Sequence, residues 1–108
     1  MALVIRAKNE AQDIVACCED VVVAEGNWYF KPDKVNMQYL TKTDRIYNCP
    51  YKGVAYWYDF NAPDIHAENV AWIYETPKSG WDHIAGRIAF YARETSATVA
   101  STEALTEA

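Results

Sequence analysis

The sequence predicts a mainly β fold: a small antiparallel domain, two-layered or barrel-like, with one or two helical turns. Three observations carry this expectation. Six or seven short runs rich in Val, Ile, Tyr, Phe and Trp are each closed by a Gly, Pro, Asn or Asp turn signal. No long segment repeats its apolar residues at helical spacing. Residues 52–60 alternate in strand fashion with apolar groups on both faces.

Taken in order, Ile14-Val15-Ala16-Cys17, an acidic break at Glu19-Asp20 and Val21-Val22-Val23-Ala24-Glu25 predict two strands joined by a tight turn. Gly26-Asn27 signals the next turn, and Trp28-Tyr29-Phe30 a short aromatic strand. Lys31-Pro32-Asp33 ends that strand, with Asp33 placed to cap one helical turn through Met37. Tyr39 to Tyr47 reads as a partly exposed strand with a turn near Thr43-Asp44. From Lys52 to Phe60, the side chains of Val54, Tyr56, Tyr58 and Phe60 share one face, and Gly53, Ala55 and Trp57 the other. Apolar groups on both faces imply a central strand.

Asn61-Ala62-Pro63-Asp64 breaks that strand, and the connection through His66 reads as a loop. Val70 to Tyr74 is the next strand, ending at Glu75-Thr76-Pro77. Lys78-Ser79-Gly80 is a turn cluster, Trp81 to Ile84 a helical turn, and Gly86 to Tyr91 the closing strand. After Arg93 the chain turns to Thr, Ser, Ala and Glu with no aromatic residue. The expected organisation is therefore one β-rich domain over residues 1–93 and a tail over 94–108, disordered or a loosely docked helix.

Composition narrows the function classes. With 108 residues, 51% of them hydrophobic and 14% aromatic, the chain can bury one core without disulfides or metal. Ten basic against fifteen acidic residues give a net charge of −5, with no Lys or Arg stripe to follow phosphates, which disfavours nucleic acid as a partner. The longest apolar runs are too short to span a bilayer, and the opening Met1 to Arg6 lacks a basic region before an apolar one. A cytoplasmic protein without membrane association is expected. Three cysteines, with Cys17 and Cys18 adjacent, suggest reduced thiols. His66 and His83 lie apart from each other and from the cysteines, so no metal site is expected.

The most distinctive stretch is Cys49-Pro50-Tyr51-Lys52-Gly53 running into Ala55-Tyr56-Trp57. With Gly26, Tyr29-Phe30-Lys31-Pro32-Asp33, Val35, Trp72-Ile73-Tyr74-Glu75-Thr76-Pro77 and Ile84-Ala85-Gly86-Arg87-Ile88-Ala89-Phe90-Tyr91, it resembles the domain of unknown function 427 family over roughly Asp13 to Tyr91. The resemblance implies a compact domain likened to a tent of two sheets. The family label sometimes says nucleotidyltransferase, and that reaction by the two-metal route needs paired carboxylates such as Asp-x-Asp. This chain has no such pair, nor a phosphate-binding glycine loop, and no catalytic residues follow from the resemblance.

The residues themselves offer candidates. Cys49 precedes a proline in a turn and has Lys52 three positions on, a cation able to favour the thiolate, although small buried cysteines are the commoner case. Lys52, turned inward beside Tyr51 and Trp57, would anchor a carboxylate or phosphate; turned outward it is a solvated lysine or a partner for Glu75. Glu75 is a second weak catalytic candidate at a strand end. Trp28, Tyr29, Trp57, Trp72 and Tyr74 would form an aromatic box, or ordinary core.

The leading expectation is a pocket for a small anionic or ring-bearing molecule bounded by Tyr29, Tyr51, Lys52, Trp57, Trp72, Tyr74 and Glu75. The alternatives are an enzyme using Cys49 or the Lys52 and Glu75 pair, and an interaction module. The cofactor is unknown on this reading, and the protein is expected to be a monomer or homodimer.

Overall fold

The computed structural model describes residues 1–104 and is mainly β: two antiparallel sheets, with helix among the described residues confined to three short 3-10 turns. The strands are β1 (Ala2–Ala7), β2 (Ile14–Cys18), β3 (Val22–Ala24), β4 (Asn27–Phe30), β5 (Leu40–Cys49), β6 (Gly53–Ala62), β7 (Ile65–Ile73), β8 (Ile88–Tyr91) and β9 (Thr98–Glu103). A three-stranded sheet has the order β2-β1-β9, and a six-stranded sheet the order β3-β4-β8-β7-β6-β5. No helix of the described residues is long and apolar enough to cross a membrane.

Side-chain alternation gives the six-stranded sheet two unlike faces. Phe30, Tyr58, Phe60, Ala71, Ile73, Ile88 and Phe90 point toward the small sheet and pack with its Ile5, Ala7, Val15 and Ala16 as the main core. Tyr29, Ala55, Trp72, Tyr74 and Ala89 point the opposite way, into a second cluster with Cys49 and Ile84. β6 is central, as its two apolar faces require, paired with β5 on one side and β7 on the other.

Several expectations are corrected. The two strands read between residues 13 and 25 are not a hairpin: β2 pairs with β1, β3 pairs with β4, and the chain crosses between sheets. The acidic break at Glu19-Asp20 is the crossing point, where the Asp20 N–H donates to Cys18 Sγ at 3.3 Å. Asp33 does not cap a helix but sits inside the 3-10 turn Pro32–Lys34, whose first residue Pro32 presets φ. His66 belongs to β7, paired opposite Asn61, because the bend read as a loop is a tight turn at Pro63-Asp64 with Asp64 at φ 57.

The largest correction concerns the ends. Residues 94–108 are not wholly a flexible tail, since β9 pairs residue by residue with β1, from Ala2 opposite Glu103 to Ala7 opposite Thr98. Its low apolar content does not prevent ordering, because the backbone ladder supplies most of the contact. Ala97 and Thr98 are buried, and Arg6 grips Glu103 through two hydrogen bonds of 2.8 Å. The end of the expected tail, 105–108, lies outside the described residues.

Candidate functional site

Register brings the aromatic residues of the outer face into one lateral row. Trp57 lies opposite Trp72, Trp72 opposite Ala89, and Ala89 opposite Tyr29, across four neighbouring strands. Trp57 and Trp72 meet edge to face with centroids 5.7 Å apart, as do Tyr29 and Trp72 at 6.4 Å, and Trp72 and Tyr91 lie tilted at 4.8 Å. Such geometries follow the ring quadrupoles. The small side chain of Ala55 leaves a hollow among these rings, and the resulting cavity has a volume of about 300 Å³. Tyr29, Trp57, Trp72, Tyr74 and Tyr91 line it, with Asn27 and the half-exposed Tyr47.

Lys52 supplies the charge at this cavity. It ends the loop Pro50–Lys52 between β5 and β6, which is held from both sides. The Lys52 carbonyl accepts the Lys78 N–H at 2.8 Å, and Lys78 Nζ donates to the Pro50 carbonyl at 2.9 Å. Gly53, at φ 108, lets the chain leave this loop against the backbone of Pro77 and Lys78. The Lys52 side chain is only 13% exposed, its ammonium 5.1 Å from the Trp81 ring centre and 5.9 Å from that of Tyr74, both cation–π distances. Its partner is Glu25, on the β3–β4 turn, which accepts a hydrogen bond from Nζ. Burial works against the Lys52 charge, but the bond to Glu25 and the charges of Cys49, Glu25 and Tyr29 together outweigh it and hold the ammonium above its ordinary range.

The buried phenols Tyr29 and Tyr74 stay neutral. Burial raises the Tyr29 hydroxyl, only partly offset by the Trp72 side chain and the Lys52 charge, and burial raises Tyr74 far more. Cys49 lies in the same outer cluster, 8% exposed. Burial pushes its thiol up, yet the backbone N–H groups of Lys52 and Tyr51 and the Lys52 charge together bring it below the ordinary value. The Lys52 N–H donates to Cys49 Sγ at 3.4 Å.

Of the residues expected from sequence, Tyr29, Lys52, Trp57, Trp72 and Tyr74 converge on the cavity, with Cys49 packed in the cluster beside it. Tyr51 does not, being 76% exposed at the tip of its loop. Glu75 is no partner of Lys52: it is exposed and bonds Lys42 at 2.7 Å. Trp28 leaves the aromatic box because its position on β4 turns it to the main core. Glu25, Asn27, Tyr47, Lys78, Trp81 and Tyr91 were missed. Tyr91 had a sequence signal, the alternation of Gly86 to Tyr91; Asn27 and Tyr47 reach the site from β4 and β5, and Glu25, Lys78 and Trp81 from turns and loops. Nη1 of Arg87, just before β8, is buried with no hydrogen-bond partner among the described residues.

In the comparison against protein families, residues 5–101 match the family described as Domain of unknown function (DUF427). The chain belongs to the DUF427 family. No relative matches among the curated proteins. Membership of the DUF427 family brings no reaction with it, so the chemistry rests on the cavity's own groups: flat apolar walls, the neutral phenols of Tyr29 and Tyr74, one largely covered lysine and a shielded thiol. Among the described residues, no group of three or more His, Cys, Asp and Glu side chains is placed to hold a metal ion.

Proposed function

We propose that the outer cavity binds a small ring-bearing molecule whose acidic group is anchored by Lys52. The supporting observation is the placement of the Lys52 side chain, largely covered at the edge of a ring-walled hollow. Burying a lysine is costly, and Glu25 alone, itself 55% exposed, does not require it. Trp57, Trp72 and Tyr91 offer faces and edges to a flat ring, while Asn27 and the hydroxyls of Tyr29 and Tyr74 give it hydrogen-bonding direction. At about 300 Å³ the cavity is at the lower end of ligand pockets, which suits one or two fused rings.

A thermal-shift screen with aromatic carboxylates and ring phosphates tests this. A true ligand at a hundred times its Kd should raise the melting temperature by roughly 10 °C. The shift should vanish in Lys52→Met and persist in Glu75→Gln. A blank screen, or equal shifts in both variants, would count against the reading.

A covalent role for Cys49 is the second reading, supported by its lowered thiol pKa beside Lys52. Its burial argues for slow access, and the labelling experiment described in the Discussion decides between a reactive and a structural thiol.

A further inference from the structure

The turn between β3 and β4 has two central residues, Glu25 and Gly26, both at positive φ, 53 and 75. Asn-Gly is the favoured pair for that geometry, and a long side chain such as glutamate is strained in it. Yet this position carries the carboxylate that meets Lys52. The two charges come from the tips of two separate hairpins: Lys52 lines the ring-walled cavity, and Glu25, just outside the lining, meets it there. The Glu25 charge also acts on Tyr29 in the cavity wall and on Cys49 beside it.

This pairing discriminates among ligands by charge. A simple anion on Lys52 would set its own negative charge beside Glu25, and a simple cation on Glu25 would face the ammonium of Lys52. A ligand that carries both charges close together gives each side chain an opposite partner. The exchange then leaves no like charges facing one another.

We infer that the cavity takes a small zwitterion bearing a flat ring, an aromatic α-amino acid in chemical class, with its carboxylate on Lys52 and its ammonium on Glu25. The inference rests on the reading of the cavity as a ligand site and adds the charge pattern of the ligand. The walls accept the ring: Trp57 and Trp72 stand edge to face and Tyr91 closes the other side. The buried phenols Tyr29 and Tyr74 remain protonated and add no third charge. A nucleotide fits poorly, because its phosphates would crowd several negative charges against Glu25.

The test is titration calorimetry with two isosteric series: L-phenylalanine and L-tryptophan, each compared with the same molecule lacking its amino group and the same molecule lacking its carboxylate. In the wild type at least one amino acid should bind about tenfold or more tighter than both of its singly charged analogues. Glu25→Gln should bring the amino acid and the acid to within about threefold, and Lys52→Met should do the same for the amino acid and the amine. Glu25→Asn, which suits the turn backbone, repeats the first comparison if Glu25→Gln folds poorly. An acid that binds the wild type as tightly as its amino acid overturns the zwitterion and leaves the ring-binding cavity standing. No binding by either amino acid also overturns it, and the cavity reading then stands or falls with the thermal-shift screen.

Discussion

Gly53 and Lys78 meet backbone to backbone: a Cβ at Gly53 would lie 3.5 Å from the Lys78 nitrogen, and that nitrogen donates to the carbonyl of Lys52, the preceding residue. This contact couples the loop carrying Lys52 to the segment that carries Trp81. At 3.5 Å the added carbon would be in ordinary contact, so the cost of Gly53→Ala comes from φ 108 and not from a clash. The variant should lose about 1–3 kcal/mol of stability by urea denaturation. An unchanged midpoint would show that the loop relaxes without Gly53.

The two indoles of the lateral row should respond differently to truncation. Trp72 is 6% exposed and touches Tyr29, Trp57 and Tyr91, so Trp72→Ala should cost about 3–5 kcal/mol, a large part of a small domain's stability. Trp57 is only half-buried, and Trp57→Ala should cost about 1–2 kcal/mol while weakening any ring ligand. Guanidinium titrations of the two variants check the order; the reverse order would contradict the row as described.

The thiol of Cys49 should titrate below an ordinary cysteine, and the charge of Lys52 is one of the reasons. In Lys52→Met, iodoacetamide labelling of Cys49, followed by mass spectrometry across pH, should shift its midpoint upward and slow at neutral pH. The backbone N–H of residue 52 remains, so the shift should be partial. A midpoint that ignores the substitution, or a thiol labelled only after unfolding, would make Cys49 purely structural.

Acid should loosen the β1–β9 pairing. The paired guanidinium of Arg6 holds the Glu103 carboxyl down at about 2, against an ordinary 4.5. A carboxylate depressed on folding contributes its full stabilisation above the unfolded value, and that contribution disappears as the pH falls from about 4.5 toward 2. Both side chains reach solvent, so the stability gap between wild type and Glu103→Gln should be about 1 kcal/mol near neutral pH. Melting curves should show the gap closing in acid. A gap that widens there would reverse the assigned sign.

Ending the chain at Ser96 removes β9 and the six residue pairs it makes with β1. The loss should be roughly 3 kcal/mol, from ladder pairs worth about half a kcal/mol each. Amide hydrogen exchange should then speed up along β1 first. Unchanged protection of β1 would mean that β9 contributes little to the small sheet.

Local chemistry made some of this legible in the chain. Alternation over residues 53–60 identified the central strand, and Gly26, Pro63 and the Lys78-Ser79-Gly80 cluster marked real turns. Tyr29, Lys52, Trp57, Trp72 and Tyr74 were readable as site candidates because aromatic strands opening on a lysine are unusual, although the direction of Lys52 stayed open until the fold set it. Glu25 was not, since a glutamate beside a turn glycine carries no mark of the charge it will meet from another hairpin. β9 was missed for a related reason: it is weakly patterned and is ordered by pairing with β1, which itself lies between β2 and β9.

By itself, the sequence determined the β character, the central strand and the aromatic supply, because periodicity and turn chemistry are properties of neighbouring residues. The tertiary structure decided which ring faces which layer, that Glu25 and not Glu75 meets Lys52, and that the last strand closes on the first. Those outcomes depend on register and strand order, which join residues far apart in the chain through contacts that no local pattern encodes.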